Sequence, residues 1–305
     1  MKIAFAGTPD FAATILAGLI SSPHEVGLVI SQPDPKKGRG RKTTRTPVAE
    51  LAHAHDLPLR QPAAISEISE ELSHYDALIV AAYGQILRPD TLYASTYGAY
   101  NVHASLLPKY RGAAPVERAI MNGETETGVT LIRMDEGLDT GPIALKHPVA
   151  ISPEADAGEL TNLLAHSGAE AVVDGLDLLQ TNSLTLVEQD NVNATYATKI
   201  SEKDRVISWE REVREVHDLI RALAPHIGAR TFLPDVEGPV KIWRSAMLSS
   251  QDVTAEIGHI EAENGRITVH CGRGRLEVLE LQMPGGRRLT THAFLLGNTL
   301  EGTFR

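Results

Sequence analysis

The segment Asp76–Tyr83 (DALIVAAY) constrains the fold of this 305-residue chain more than any other. A near-continuous apolar run of β-formers, without polar–apolar alternation, suits a strand covered on both faces inside a parallel sheet. Its neighbours agree. Lys2–Ala6 is a short apolar strand ending at Gly7, and Thr8-Pro9-Asp10 then offers a cap residue, a proline suited to a first helical turn and an early acid. Phe11, Ile15, Leu19 and Ile20 follow at helical spacing. Glu25–Ser31 and Gly98–Ala104 read as strands, and Pro47–His55, Ser66–Tyr75 and Pro115–Asn122 as helices. Thr127–Met134 and Pro142–Ile151 read as two strands joined by a turn rich in Asp and Gly, before a long helix, Asp156–Gln180. This alternation predicts an α/β unit: a Rossmann-like, open, mostly parallel sheet with helices on both faces.

The character changes after Leu186. Glu188–Asp204 is polar and reads as a linker on the surface. Ser208 is a candidate cap for a helix running through Val213, Val216, Leu219, Ile220 and Leu223. Strand candidates follow at Ala229–Leu233, Val240–Met247, Gly258–Glu261, Arg266–Cys271 and Arg275–Gln282, with Asn264-Gly265 as a hairpin signal. Short strands at this spacing predict a small, OB-like β-barrel. The expected division is a first domain over residues 1–187, a linker over 188–205 and a barrel domain over 206–305.

Composition narrows the class of function. Apolar residues make up 42% and charged residues 22%, an ordinary globular balance. The single cysteine, Cys271, excludes an intrachain disulfide and a cysteine-rich metal site, and fits a reducing compartment. No stretch approaches the roughly 20 apolar residues of a membrane span, and no secretory signal is readable, so a cytoplasmic location is expected. The histidines lack partner clusters in sequence, so no metal is expected. The formal net charge is −10. Against it stand Lys36, Lys37, Arg39, Arg41, Lys42 and Arg45, six bases without an acid among them, which leaves 23 bases against 39 acids elsewhere. Lysines and arginines on a loop containing Gly38 and Gly40 can neutralise several phosphates; a solvated charge run is the alternative.

The chemistry gathers around Tyr100-Asn101-Val102-His103-Ala104-Ser105-Leu106-Leu107-Pro108. Asn101 and His103 lie two apart near a strand's carboxyl end, so both side chains project to one side, where ligands bind in open α/β sheets. An amide beside an imidazole can donate to one developing oxyanion, and histidine exchanges protons near neutral pH. A satisfied turn amide and a hydrogen-bonded strand-end histidine form the plainer alternative. Ser105–Pro115 (SLLPKYRGAAP) is an irregular loop leading into a helix, placed to cover a substrate. Within Asp135-Glu136-Gly137-Leu138-Asp139-Thr140-Gly141-Pro142, the first two acids suit a hairpin turn, whereas Asp139 could orient the imidazole. In Ala81-Ala82-Tyr83-Gly84-Gln85-Ile86-Leu87, the residues after the strand, Ile86 and Leu87 included, could line an apolar slot.

The segments AFAGTPDFA, SQPDPKKGRGRK, AAYGQIL, NVHASLLPKYRGAAP and GVTLIRMDEGLDTGPI, in this order and with the C-terminal barrel, resemble the methionyl-tRNA formyltransferase family. The NVHxSLLP and LDTG motifs are shared by the wider group that uses 10-formyltetrahydrofolate. The resemblance implies a catalytic trio of Asn101, His103 and Asp139, and folate contacts at Ser105, Leu106, Leu107 and Pro108, with Ile86 and Leu87 as a further apolar contact. It also implies a tRNA-binding loop over residues 33–45 with its key arginine at Arg39, including Lys36, Lys37, Arg41 and Lys42. The implied reaction moves a formyl group from 10-formyltetrahydrofolate, a co-substrate, to the α-amino group of methionine on initiator methionyl-tRNA. A monomer is expected. The chain departs from the family's Trp-Pro-Gly-Ala-like run, carrying Ala224-Pro225-His226-Ile227-Gly228-Ala229 instead. Two rivals stay open: a formyltransferase acting on an amino sugar or nucleotide, and a non-catalytic RNA-binding protein on the same scaffold.

Overall fold

The computed structural model describes residues 1–37, 42–249 and 256–305. Among them, the apolar runs of the first half become one seven-stranded sheet. Its strands are β1 (Lys2–Gly7), β2 (Glu25–Ile30), β3 (Leu59–Arg60), β4 (Ala77–Ala81), β5 (Ala99–His103), β6 (Glu126–Arg133) and β7 (Ile143–Ala150). The order is β7-β6-β5-β4-β1-β2-β3. Neighbours from β5 to β3 are parallel, and β6 runs antiparallel to both β5 and β7. Every residue of β4 is buried, as its uninterrupted apolar sequence demands.

Small residues let a helix lie close on this sheet. In Ala157–Gln180, a Cβ added to Gly168 would sit 3.0 Å from a Val102 methyl, and one added to Gly175 would sit 2.4 Å from Leu131. Other helices start where the sequence signals them. Thr46 caps Pro47–Ala54 by accepting from Ala49 N at 3.2 Å. Thr8 does not cap the helix Asp10–Ile20; its hydroxyl donates instead to the Tyr83 carbonyl at 3.1 Å, tying β1 to the loop after β4. The helix expected over 66–75 is a 3-10 turn, Ile65–Ile68, followed by one α turn, Ser69–Leu72. At its end Ser73 donates to Glu70 O, and Ser69 shares a hydrogen bond with Thr91.

The chain divides into two units, the first comprising Met1–Pro115, Glu126–Ala150 and Thr161–Ala197, the second Val116–Thr125, Ile151–Leu160 and Thr198–Arg305. Residues 188–197 thus belong to the first unit and 198–205 to the second.

The second unit carries an antiparallel sheet of β8 (Ala229–Thr231), β9 (Val240–Ser249), β10 (Ile260–Glu263), β11 (Arg266–His270) and β12 (Arg275–Gln282), in the order β8-β9-β12-β11-β10. Leu289–Thr290 adds to β12. Asn264 (φ 53°) and Gly265 (φ 76°) make the tight turn between β10 and β11. The helix Val213–Leu223 is capped by Glu212 in a box with Glu215, not by Ser208, which lies in the preceding turn. The tail of the chain joins the sheet's two edges. Phe232 and Arg305 exchange backbone hydrogen bonds at 3.1 and 2.9 Å, while Ile260 N donates to Gly302 O and Phe304 N to Gly258 O. Phe304, 2% exposed, stacks on Trp209 with ring centroids 5.5 Å apart. Phe304→Ala is expected to destabilise this unit by about 3–5 kcal/mol, read as an earlier urea midpoint in tryptophan fluorescence.

Candidate active site

β5 presents Asn101 and His103 to a single carboxylate. Asn101 Nδ2 lies 3.5 Å from Asp139 Oδ1, and His103 Nδ1 lies 3.6 Å from Asp139 Oδ2. The register explains why this meeting needs a fold-back. β6 runs against β5 with His103 opposite Thr130 and Tyr100 opposite Arg133, so the turn after β6 leaves near the start of β5. To reach Asn101 and His103, residues 135–141 must double back along the strand. Gly141 permits it, since a Cβ there would lie 1.9 Å from the Arg133 carbonyl. Asp135 shapes the same turn through Gly137 N and the Thr140 hydroxyl, and takes no part in the cluster.

The imidazole is buried, and its Nε2 lies 2.8 Å from Tyr110 O. A carbonyl can only accept, so the proton of the neutral ring belongs on Nε2 and the lone pair on Nδ1, facing Asp139. Asp139 is gripped as well. Its Oδ2 accepts from Gly112 N at 2.8 Å, and its backbone has φ 54°, the left-handed region. Gly112, at φ 114°, brings its amide close because a Cβ would sit 2.9 Å from Ala197 O.

That last contact introduces a segment that no sequence motif singles out. Residues 189–197, expected to be surface linker, run beside the loop that follows β5. Tyr196–Ala197 pairs in parallel with Arg111–Gly112. Tyr110 N donates to Thr195 Oγ1 at 2.8 Å. Gln189 is buried against Arg111, with its amide nitrogen 2.8 Å from Asp139 O. A lone glutamine in a polar stretch has no periodicity or motif to mark it.

The residues expected to meet folate divide into two kinds. The Ser105 side chain is buried and its hydroxyl donates to Lys109 O at 2.6 Å, and Leu107 is fully buried. Thr130 stitches this segment to β6, donating to Ser105 O and accepting from Leu107 N. Leu106 and Pro108 are partly exposed. On the loop after β4, Leu87 is buried while Ile86 is 91% exposed. Gln85 holds that loop through Ile65 N and Ala63 O. The two expected apolar contacts therefore point to different surroundings, and only Ile86 offers an open face.

Of the expected basic loop, Lys36–Lys37 and Lys42–Thr43 pair as a short antiparallel ribbon. Arg39 and Arg41 lie outside the described residues. The base of the ribbon is tied by Ser31 to Thr46 at 2.6 Å and by Asp34 to Thr46 N and Gln61. The only thiol, Cys271, is pushed up to about 12 by burial, which removes it as a nucleophile. Among the described residues no helix is long and apolar enough to cross a membrane, and no group of three or more His, Cys, Asp or Glu could hold a metal ion.

The family model described as "Formyl transferase" matches residues 1–176, and "Formyl transferase, C-terminal domain" matches residues 199–299. A methionyl-tRNA formyltransferase from Rubrobacter xylanophilus is 60% identical over the full length of both chains. One from Pelotomaculum thermopropionicum is 42% identical over 98% of this chain and 96% of its own. The crystal structure of an N-formyltransferase from Helicobacter canadensis, in complex with folinic acid and dTDP-3-aminofucose, shares the fold at TM-score 0.67 and 20% identity, covering 91% of this chain and 98% of that one. With the two family models spanning both units' residues and relatives at this identity along the full length, the chain belongs to the formyl transferase family.

Proposed function

We propose that this protein transfers a formyl group from 10-formyltetrahydrofolate to the α-amino group of methionine on initiator methionyl-tRNA. The observation that carries the reading is the convergence of Asn101 and His103 on the Asp139 carboxylate. The closely similar relatives named for that reaction supply the substrate. The reaction belongs to the cytoplasm, where charged tRNA is made and used, and the working unit is a monomer.

Bound folate supplies the electrophilic formyl carbon and leaves as tetrahydrofolate; Ile86, with Leu106 and Pro108, would hold it. The nucleophile is the substrate's own amine, whose free pKa of roughly 7.7–8.0 keeps a usable neutral fraction near pH 7. Asn101 donates an N–H to the formyl oxygen as negative charge collects there. His103 takes at Nδ1 the proton shed by the attacking amine, and Asp139 stabilises the resulting imidazolium. Once charged, His103 returns a proton toward the departing folate nitrogen.

The substrate assignment is tested by mass-detected formyl transfer to methionyl-tRNA, uncharged tRNA and an amino-sugar nucleotide in parallel. Incorporation into the sugar in place of methionyl-tRNA would overturn it. For the basic loop, Arg39→Ala is expected to raise KM for methionyl-tRNA and to reduce the steepness of its salt dependence by about one phosphate contact, while KM for the folate holds.

A further inference from the structure

We infer that Gln189 is a positioning residue for formyl transfer, holding Asp139 in the conformation that serves Asn101 and His103; this rests on the reaction assigned above. Chemistry fixes the orientation of its amide. Arg111 has only donors, and its Nε and Nη2 lie 3.2 and 2.7 Å from Gln189 Oε1. The oxygen therefore faces the guanidinium and the nitrogen faces away. There it donates to two carbonyls, Asp139 O at 2.8 Å and Gly141 O at 2.7 Å. Both donors and both acceptor positions of a buried amide are thus engaged.

What the amide grips is a strained place. Asp139 has φ 54°, a left-handed conformation that a non-glycine residue keeps only where the surrounding structure holds it there. Gln189 holds the carbonyls of Asp139 and Gly141 from one side, while Gly112 N holds the Asp139 carboxylate from the other. The two grips are joined. Arg111, the residue that orients Gln189, precedes Gly112 and follows Tyr110, whose carbonyl bonds His103. Arg111 also meets Asn191 Oδ1 at 2.8 Å, and Ala197 O accepts from Ala113 N and Ala114 N at 2.9 and 3.2 Å. One stretch, residues 189–197, therefore sets both the carboxylate and the carbonyl that faces the imidazole. It lies between the residues matched by the two family models.

The test compares Gln189→Glu and Gln189→Met with the wild type in the full chain. Gln189→Glu keeps an acceptor for Arg111 and removes both donations. It is expected to lower kcat for methionyl-tRNA formylation about 10–100-fold, because small misplacements of a reacting group are that costly. Both KM values should stay within about threefold of wild type, the mark of an interaction that counts in the transition state. The thermal midpoint should fall, because the carbonyls of Asp139 and Gly141 lose their donor, and the ¹⁵N resonances of the His103 ring should move. Gln189→Met, which also takes the Gln189 oxygen away from Arg111, should lose kcat to a similar degree and lower the midpoint further. Wild-type kcat in Gln189→Glu with unmoved His103 resonances would overturn the inference. The resonances need no substrate, so they decide the positioning role even if wild type proves not to formylate methionyl-tRNA, a result that would instead sink the assigned reaction.

Discussion

His103→Ala is expected to lower kcat for formylation by about 10²–10⁴-fold, the range typical of a lost general acid–base group. KM for either substrate should change far less. The geometry sets this expectation. Nε2 is committed to Tyr110 O, so Nδ1 is the nitrogen left to exchange a proton, and it faces the Asp139 carboxylate at 3.6 Å. No thiol can substitute, since Cys271 is buried with its thiol pushed up to about 12. Single-turnover kinetics with preformed complex is the suitable measurement, because it isolates the chemical step from tRNA binding. A variant within severalfold of wild type in that assay would remove His103 from the proton path.

The second large effect is expected at Asp139, and two substitutions separate its roles. Asp139→Asn keeps the shape, keeps an oxygen for Gly112 N, and places at φ 54° another residue type that tolerates the left-handed region. It removes the charge and, with its oxygen kept for Gly112 N, turns the acceptor of Asn101 Nδ2 into a donor, so a fall in kcat on the order of 10² measures the carboxylate's charge and its hold on Asn101 together. Asp139→Ala removes the acceptor of Gly112 N as well, and should add about 1–3 kcal/mol of destabilisation from the partly buried amide. Equal thermal midpoints for the two variants would show that the Gly112 contact is dispensable.

Much of this could be read from the residues alone because the signals are local. The run DALIVAAY has no polar face to expose, and it became β4 with every strand residue buried. The i, i+2 spacing of Asn101 and His103 requires a shared side on any strand, and both meet Asp139. The Asn264-Gly265 turn is legible for the same reason: both positions need positive φ. What could not be read depends on partners far away in sequence. Thr8 looked like a cap, but the Tyr83 carbonyl, 75 residues on, claimed its hydroxyl. Ser208 gave way to Glu212 because the capping box needs Glu215 three residues later. Gln189 finds its partners 78 and 50 residues away, at Arg111 and Asp139, so nothing near it in the chain foretells its place. The tail segment that joins both edges of the second sheet is equally silent, being short and without alternation.

The pairing of Arg111–Gly112 with Tyr196–Ala197 bears on how small a working fragment of this chain can be. Cut after residue 187, the polypeptide would keep Asn101, His103, Asp139 and the Ser105–Pro108 segment. It would lose Gln189, Thr195 and Ala197, and with them the outer strand against which the Tyr110–Ala113 loop is laid. Such an excised piece would carry the right residues at the wrong angles. A working fragment is therefore expected to extend at least to Ala197, seventeen residues beyond the long helix that ends at Gln180.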